Sequence, residues 1–309
     1  MEALRKLDLK NVVFLDIETA SLVEELEMNT PLYDSFKYSF GRDKTDLETI
    51  AHFPKEAALH AEFARIVCIT VGIIRGTSLR TKTYADSDER TLLLNFQNDL
   101  GQITDANAKA ILGGHAIKGF DAPFIAKRCL INQVTPHKLL DVFGKKPWNV
   151  DDQMIDTKDL WQGTGFRASS LINIAVALGV PSPKSDISGA EVGGVYFGEG
   201  ATGLKRIIKY CEQDVLAVAN VCRRIKFEPL LALESSDKVE VEKLPVVINL
   251  ANGGNFEKRE QKELTDMMKL VDLDDLDAAF EVLEAIAAKK GTKLTKTYMN
   301  HLRKQYETV

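Results

Sequence analysis

The sequence predicts an α/β domain, because short apolar runs typical of buried strands alternate with longer stretches that have the period of amphipathic helices. The first strand is predicted over residues 12–19, and a hairpin of two strands follows over residues 66–84. Two more short strands are predicted over residues 110–114 and 154–157. Together these runs supply five strands for one central sheet.

Amphipathic helices are predicted between and after these strands. The first begins at a Ser87 or Asp88 cap and carries Leu92, Leu93 and Phe96 inward. A second begins near Asp121, with Pro123 in its first turn, where the missing N–H costs nothing. The other predicted spans are residues 168–178 and 204–225.

Two segments lack a sustained period. Residues 20–65 are long, polar and dotted with aromatics, and we expect an elaborated loop there that packs on its own domain more readily than it stacks on bases. Residues 181–203 are rich in glycine and are expected to be mobile.

Composition limits the classes of function. The chain has 309 residues, 45% of them hydrophobic, a formal charge of -5 and a pI of about 5.7. This balance argues against a protein that coats nucleic acid through bulk charge, although transient contact at a local groove stays open. No apolar run reaches the roughly 18 residues that cross a bilayer, and no signal peptide is evident, so we expect a cytoplasmic protein without membrane partners. The cysteines form no C-x-x-C pair, so neither disulfides nor zinc are expected: Cys68, Cys129, Cys211 and Cys222.

The first strand carries two carboxylates two residues apart, Asp16 and Glu18. Side chains alternate between the faces of a strand, so these acids point the same way while Leu15 and Ile17 point into the core. Two like charges in one small volume are costly unless a cation lies between them, and oxygen ligands suit magnesium or manganese. An isolated D-x-E more often marks a strand end that turns into solvent, so further carboxylates must decide between these interpretations.

Two later motifs supply such carboxylates. Asp121 follows a glycine-punctuated turn at the start of a helix, where it could also be a simple capping residue. His115, in that turn, is expected to be structural because no second histidine stands at metal spacing. Tyr210 and Asp214 are four residues apart on a predicted helix, so a phenol and a carboxylate share one face.

The motifs D-I-E, F-D-x-P-F and Y-x-x-x-D, in this order over residues 10–227, resemble those of the DnaQ-like (DEDD) 3′–5′ exonucleases of the ribonuclease H-like superfamily. Tyr210 places the chain with the tyrosine type, since the histidine type has histidine where this chain has Lys209. The layout looks most like the polymerase-B-type exonucleases of phages and bacteria. One departure is Ala116, where these enzymes often carry asparagine.

The resemblance implies a ribonuclease H-like fold with a mixed central five-stranded sheet flanked by helices. It also implies that Asp16, Glu18, Asp121 and Asp214 bind two Mg²⁺ or Mn²⁺ ions and that Tyr210 positions the attacking water. Two such ions, about 4 Å apart, can generate the nucleophile and stabilise the departing oxygen in phosphodiester hydrolysis. The implied reaction removes nucleoside monophosphates from single-stranded DNA 3′ ends in proofreading or repair, inside a bacterial or phage-infected cell. Two rivals are an RNA-trimming exonuclease and a catalytically silent binding module.

The chain is predicted to divide near residue 235. Residues 1–235 would form the exonuclease domain, and residues 236–309 a helical C-terminal region whose basic end could meet DNA, a separate polymerase or another replication protein. A loop with Lys145, Lys146 and Trp148 is a further candidate for nucleic-acid contact, although a solvated loop is the simpler interpretation.

Overall fold

A computed structural model describes residues 7–182 and 186–235 of the chain. The predicted C-terminal region, residues 236–309, lies outside the described residues, so the domain boundary near residue 235 stays a prediction. None of the helices in the described ranges combines the length and apolar character that a bilayer crossing requires.

The described chain contains six strands and eight α-helices. The strands are β1 (Val12–Ser21), β2 (Ala64–Arg75), β3 (Ser78–Tyr84), β4 (Ile111–Gly114), β5 (Met154–Asp156) and β6 (Ala232–Ser235). The α-helices are α1 (Pro31–Phe40), α2 (Asp46–Ala57), α3 (Glu89–Ala106), α4 (Asp121–Ile131), α5 (Thr157–Gln162), α6 (Leu171–Ala177), α7 (Val192–Gly198) and α8 (Gly200–Ile225). Short 3₁₀ turns lie at Leu9–Asn11, Lys138–Leu140, Pro147–Val150 and Gly189–Glu191.

All six strands form one mixed sheet in the order β5-β4-β1-β2-β3-β6. β1, β2 and β3 pair antiparallel, whereas β4 lies parallel to β1 and β5 parallel to β4. This arrangement of the first five strands is that of a ribonuclease H-like fold and confirms the predicted α/β class. The predicted number of strands was too low by one. β6 adds to the edge parallel to β3, and its four residues, only one of them a large apolar residue, gave no strand pattern.

Apolar side chains cover the sheet on both faces. Val13, Leu15 and Ile17 of β1 belong to a core shared with α3 and α4. Val12 and Phe14 belong to a second core shared with α8. The alternation predicted for β1 is therefore confirmed, and the helices form a layer on each side of the sheet.

The segment predicted as an elaborated loop, residues 20–65, instead contains α1 and α2. Thr30 caps α1, and Thr45 and Glu48 form a capping box at the start of α2. The aromatic side chains that looked irregular form a small core of their own, in which the ring centroid of Phe36 lies 4.9 Å from that of Phe53. The prediction was wrong because the two helices are short and their apolar faces pack on each other. The expectation that the aromatics pack within the domain holds for this cluster.

Part of the glycine-rich segment over residues 181–203 has regular structure, whereas residues 183–185 lie outside the described residues, and the expected mobility stays a prediction. The 3₁₀ turn at Gly189–Glu191 leads into α7, which buries Val192, Val195 and Tyr196, and α8 begins at Gly200. Gly203 lets α7 and α8 approach closely, because a Cβ there would lie 2.3 Å from the Val195 carbonyl oxygen. Glycine serves close packing here and does not signal irregular chain.

A buried ion pair fixes the position of α4 against the rest of the domain. Arg128 of α4 donates from Nε to Glu89 Oε1 of α3 at 2.9 Å and from its terminal nitrogens to Glu89 and to the Ala61 carbonyl. The same Glu89 oxygen accepts the Ile66 backbone N–H of β2 at 2.8 Å. Because each group has several partners, the pair holds α3, α4 and β2 together with little unsatisfied charge.

Glu89→Gln should destabilise the protein by about 3–5 kcal/mol, because it leaves the buried Arg128 guanidinium without a counter-charge. Urea unfolding of the full chain measures the change. Glu62→Gln is the matched control, since Glu62 forms an exposed pair with Lys127 at 3.2 Å and should cost less than about 1 kcal/mol. Equal losses in the two variants would contradict the structural role of the Glu89–Arg128 pair.

Candidate active site

Asp16 and Glu18 lie on β1 and share the face of the sheet that α8 covers. The antiparallel register places Asp16 opposite Thr70 and Glu18 opposite Cys68 of β2. Asp16 is half-buried, and Glu18 is only 7% exposed. The alternative that this D-x-E pair is a strand end turning into solvent does not hold, because β1 continues to Ser21 and both acids are covered.

Asp121 is the first residue of α4 and joins this helix to β1. Its Oδ1 accepts the backbone N–H of Ile17 at 3.1 Å, and the residue is 3% exposed. Phe120 occupies the N-cap position, and no side chain caps the helix there. Asp121 is therefore not a simple capping residue, and its carboxylate lies next to the strand that bears Asp16 and Glu18.

Tyr210 and Asp214 lie one turn apart on α8, as predicted. The Tyr210 hydroxyl donates a hydrogen bond to the Asp214 carboxylate, and both side chains are half-buried. α8 reaches β1 at the next residue, where Cys211 Sγ lies 3.3 Å from Asp16 Oδ2. The helix thus brings the third motif to the two acids of the strand.

All four carboxylates of the predicted set influence one another electrostatically. Burial raises the pKa of Asp16 well above its usual range, and the nearby Asp121 and Asp214 raise it further. Burial, followed by the charge of Asp16, does the same to Glu18. Burial also raises the pKa values of Asp121 and Asp214 to about 7. Asp16 and Glu18 lie closest, with one oxygen of each within 4.8 Å of the other, and Asp121 and Asp214 lie near enough to raise the pKa of both.

The donor set fits a hard divalent cation. Within the described part of the chain, the Glu18 carboxylate accepts no hydrogen bond. The largest charge effects on the pKa values of Asp16, Glu18 and Asp121 come from other acids and a thiol and not from a lysine or arginine. Buried carboxylates without a partner or counter-charge are costly. A cation with oxygen ligands would remove that cost, which magnesium and manganese do well.

Asp156 is a supporting residue that the sequence analysis did not identify. This 3%-exposed acid ends β5, and its Oδ1 accepts the N–H of Ala116 at 2.8 Å and of Lys158 at 2.9 Å. Its Oδ2 accepts the N–H of Lys118 at 3.3 Å. Asp156 therefore fixes the turn that leads into Asp121. The only sequence signal was an acid just after the apolar Met154 and Ile155, which is the position of an N-cap.

The turn that leads into Asp121 also contains His115 and Ala116. His115 Nδ1 lies 3.0 Å from Thr157 Oγ1, and burial lowers the pKa of the imidazole. This contact agrees with a structural role for His115. Ala116 has a φ of 60°, in the left-handed region where Asn is better tolerated than Ala. The Asp156 hydrogen bond to the Ala116 N–H helps to hold that conformation.

The loop with Lys145, Lys146 and Trp148 is exposed to solvent. Trp148 is 68% exposed, and Lys145 Nζ forms an ion pair with Asp141 at 3.1 Å. Contact with nucleic acid at this loop stays a prediction.

The fold and the acidic site define a nuclease-like α/β domain, and comparisons with known proteins supply its family. The family model described as "Predicted 3'-5' exonuclease related to the exonuclease domain of PolB" matches residues 56–238. Since this match covers more than half of the 309 residues, the chain belongs to that family. The matched part includes Asp121, Tyr210 and Asp214 and begins after β1.

Among solved structures, the chain is similar to the family B DNA polymerase from the hyperthermophilic archaeon Pyrobaculum calidifontis, with 15% identity and a TM-score of 0.42. The alignment covers 67% of this chain and 23% of the polymerase, so the chain spans under a quarter of that protein's length. The comparison with curated proteins gives no match.

Asp121→Asn should stabilise the metal-free protein more at pH 8.5 than at pH 5. The folded state raises the pKa of Asp121 from 3.8 to about 7. The protonated acid therefore makes its full contribution to the free energy of unfolding below about pH 4, and this contribution is lost as the pH rises through 7. The uncharged amide avoids that loss. Thermal melting in EDTA measures this effect. The melting temperature of the variant minus that of the wild type should be a few degrees higher at pH 8.5 than at pH 5.

Asp43→Asn is the control for this prediction, since it removes one acid from an exposed turn. Its melting difference should be the same at both pH values. A constant difference for Asp121→Asn as well would contradict the electrostatic description of the site.

Proposed function

We propose that the protein is a divalent-metal-dependent 3′–5′ exonuclease that hydrolyses single-stranded DNA and releases nucleoside monophosphates. The observation that carries the proposal is the convergence of four acids and a tyrosine from β1, α4 and α8. Membership of a family described as predicted 3′–5′ exonucleases supports the same reaction.

Asp16, Glu18, Asp121 and Asp214 would hold two Mg²⁺ or Mn²⁺ ions in this proposal. Such ions lower the pKa of bound water and stabilise the charge that develops on the phosphate. Asp16 is suited to the central position, because both Asp121 and Asp214 raise its pKa and it lies next to α8. The anchoring of Asp121 to the Ile17 N–H keeps its carboxylate fixed while the substrate binds.

Tyr210 would orient the attacking water and would not act as a base. Burial and the adjacent Asp214 raise the pKa of Tyr210 well above its usual range, so the phenol stays protonated at neutral pH. A protonated phenol can donate to Asp214 while its oxygen accepts a hydrogen bond from water. This role requires the hydroxyl and not the ring alone.

The biological setting that fits this activity is replication proofreading or repair, with single-stranded DNA 3′ ends as the substrate. A separate polymerase or replication protein is the partner we propose, with residues 236–309 as a candidate docking segment. The intact set of acids with Tyr210 argues against a catalytically silent binding module.

End-labelled oligonucleotides test the proposed activity directly. A 5′-labelled single strand should shorten from its 3′ end one nucleotide at a time when Mg²⁺ or Mn²⁺ is present and should stay intact in EDTA. Matched DNA and RNA strands decide between the two nucleic acids, and faster cleavage of RNA would favour an exoribonuclease. Shortening from the 5′ end, or cleavage in EDTA, would contradict the proposal.

Asp16→Asn should reduce cleavage by more than about a thousandfold, because it removes the central ligand with almost no change in volume. Steady-state kcat/KM on a short single strand measures the loss, and circular dichroism checks the fold. Asp43→Asn, which makes the same chemical change at an exposed position, should keep the wild-type rate. A folded Asp16→Asn protein with wild-type activity would refute the site assignment.

Tyr210→Phe should cause a smaller loss, roughly ten- to a thousandfold in kcat, with little change in the metal concentration for half-maximal rate. The ring stays in place and only the hydroxyl that donates to Asp214 is lost. Tyr38→Phe, at a 69%-exposed tyrosine, is the matched control and should be neutral. If Tyr210→Phe instead requires much more metal, the phenol contributes to metal binding and not to orienting water.

A further inference from the structure

The thiol of Cys211 lies against the acidic site. This fully buried residue follows Tyr210 on α8, and its Sγ lies 3.3 Å from Asp16 Oδ2 and 3.5 Å from the Asp16 carbonyl oxygen. One ligand atom from each of Asp16, Glu18 and Cys211 lies within 4.8 Å of the other two. The site therefore offers a soft sulfur donor beside its hard oxygen donors.

These distances are close to those of a tetrahedral ion with mixed ligands. With Zn–S of about 2.3 Å and Zn–O of about 2.0 Å, sulfur and oxygen ligands lie roughly 3.5 Å apart. The Cys211–Asp16 distance of 3.3 Å is within a few tenths of an ångström of that value. A carboxylate oxygen of Glu18 lies within 4.8 Å of both other ligand atoms, which places it in reach of the same ion.

Glu18 is the observation that points to a ligand independently of the thiol. Only 7% of its surface is exposed, and in the described ranges its carboxylate has no hydrogen-bond partner. Hydrogen bonds hold Asp16 to Cys211 and Asp121 to Ile17, whereas none in the described ranges holds the Glu18 carboxylate.

We propose that Asp16, Glu18 and Cys211 form a site for a thiophilic divalent ion, Zn²⁺ or Cd²⁺, with solvent as a fourth ligand. The ion displaces the thiol proton to solvent on binding. Because it occupies two of the four acids, it excludes the hard ions that cleavage requires and inhibits the enzyme. Ion binding rests on the ligand geometry alone, whereas inhibition rests also on the proposed function.

The expectation of no zinc was drawn from cysteine spacing, which cannot detect this arrangement. Spacing rules detect ligands that lie close together in sequence, and here the strand and the helix bring them from positions 195 residues apart. Cys68 lies opposite Glu18 and contacts the Cys211 thiol, but it is not among the three residues whose ligand atoms cluster.

Cadmium titration of the full chain tests ion binding without reference to activity, because a cadmium–thiolate bond adds a charge-transfer band in the ultraviolet. The absorbance of the wild type should rise by the intensity of one cadmium–thiolate bond and should saturate at one ion per chain. Cys211→Ala should lose the band, whereas Cys222→Ala, at another buried cysteine of α8, should keep it. A band of equal intensity in Cys211→Ala would overturn the proposal.

Inhibition is tested by measuring the rate of Mg²⁺-dependent cleavage at increasing Cd²⁺ concentration. The rate of each protein is compared with its own rate in the absence of Cd²⁺. Half-inhibition of Cys211→Ala should require at least about tenfold more Cd²⁺ than the wild type, since one of three ligands is gone. Half-inhibition of Cys222→Ala should occur at the wild-type Cd²⁺ concentration, and equal values for all three proteins would overturn the inference.

A third variant keeps the test decisive if Cys211→Ala fails to fold. Glu18→Gln retains the thiol and removes an oxygen ligand, so the band should require at least about tenfold more Cd²⁺ to saturate. An unchanged titration would overturn the ligand set.

If the wild type cleaves no nucleic acid, the proposed function fails and the charge-transfer titration still decides the ion site. If cleavage is metal-dependent but no band forms, only this inference fails.

Discussion

Mutual repulsion among four covered carboxylates is the constraint on which the rest of this structure depends. Each of these acids has a pKa raised by burial, and the charges of neighbouring acids add to it at Asp16, Glu18 and Asp121. A fold that holds such groups together needs strong apolar packing and well-satisfied polar contacts elsewhere. The two cores on either side of β1 provide the packing, and the Glu89–Arg128 pair and Asp156 provide the polar contacts.

Buried acids of this domain fall into two classes, and the difference lies in their partners. Glu89 and Glu18 have the same exposure of 7%, but Glu89 accepts hydrogen bonds from Arg128 and Ile66, whereas Glu18 accepts none within the described residues. Asp156, at 3% exposure, accepts three backbone N–H groups. Acids with hydrogen-bond partners, such as Glu89 and Asp156, stabilise the scaffold, whereas Glu18 offers a carboxylate to which an external cation could bind.

Local periodicity was sufficient to predict most of the sheet and the grouping of site residues within one element. The alternation of β1 placed Asp16 and Glu18 on one face, and the four-residue spacing placed Tyr210 beside Asp214. What the sequence did not reveal depends on contacts between distant segments. Asp156 contacts Ala116, 40 positions away, and Cys211 contacts Asp16, 195 positions away. The apolar residues of α1 and α2 pack on one another and on Leu26 and Phe63. No window of a single sequence contains such contacts.

The family match begins at residue 56, after β1, yet the site cannot be assembled without that strand. β1 lies between β2 and β4 and pairs with both, so its removal would separate β2, β3 and β6 from β4 and β5. The same strand carries Asp16 and Glu18, receives the Asp121 carboxylate at the Ile17 N–H and contacts Cys211 of α8. The sheet and the acidic cluster therefore share one element. It follows that the acidic cluster depends on elements from β1 to α8, and that substitutions in β1 will disturb the sheet and the cluster together unless, like Asp16→Asn, they conserve shape.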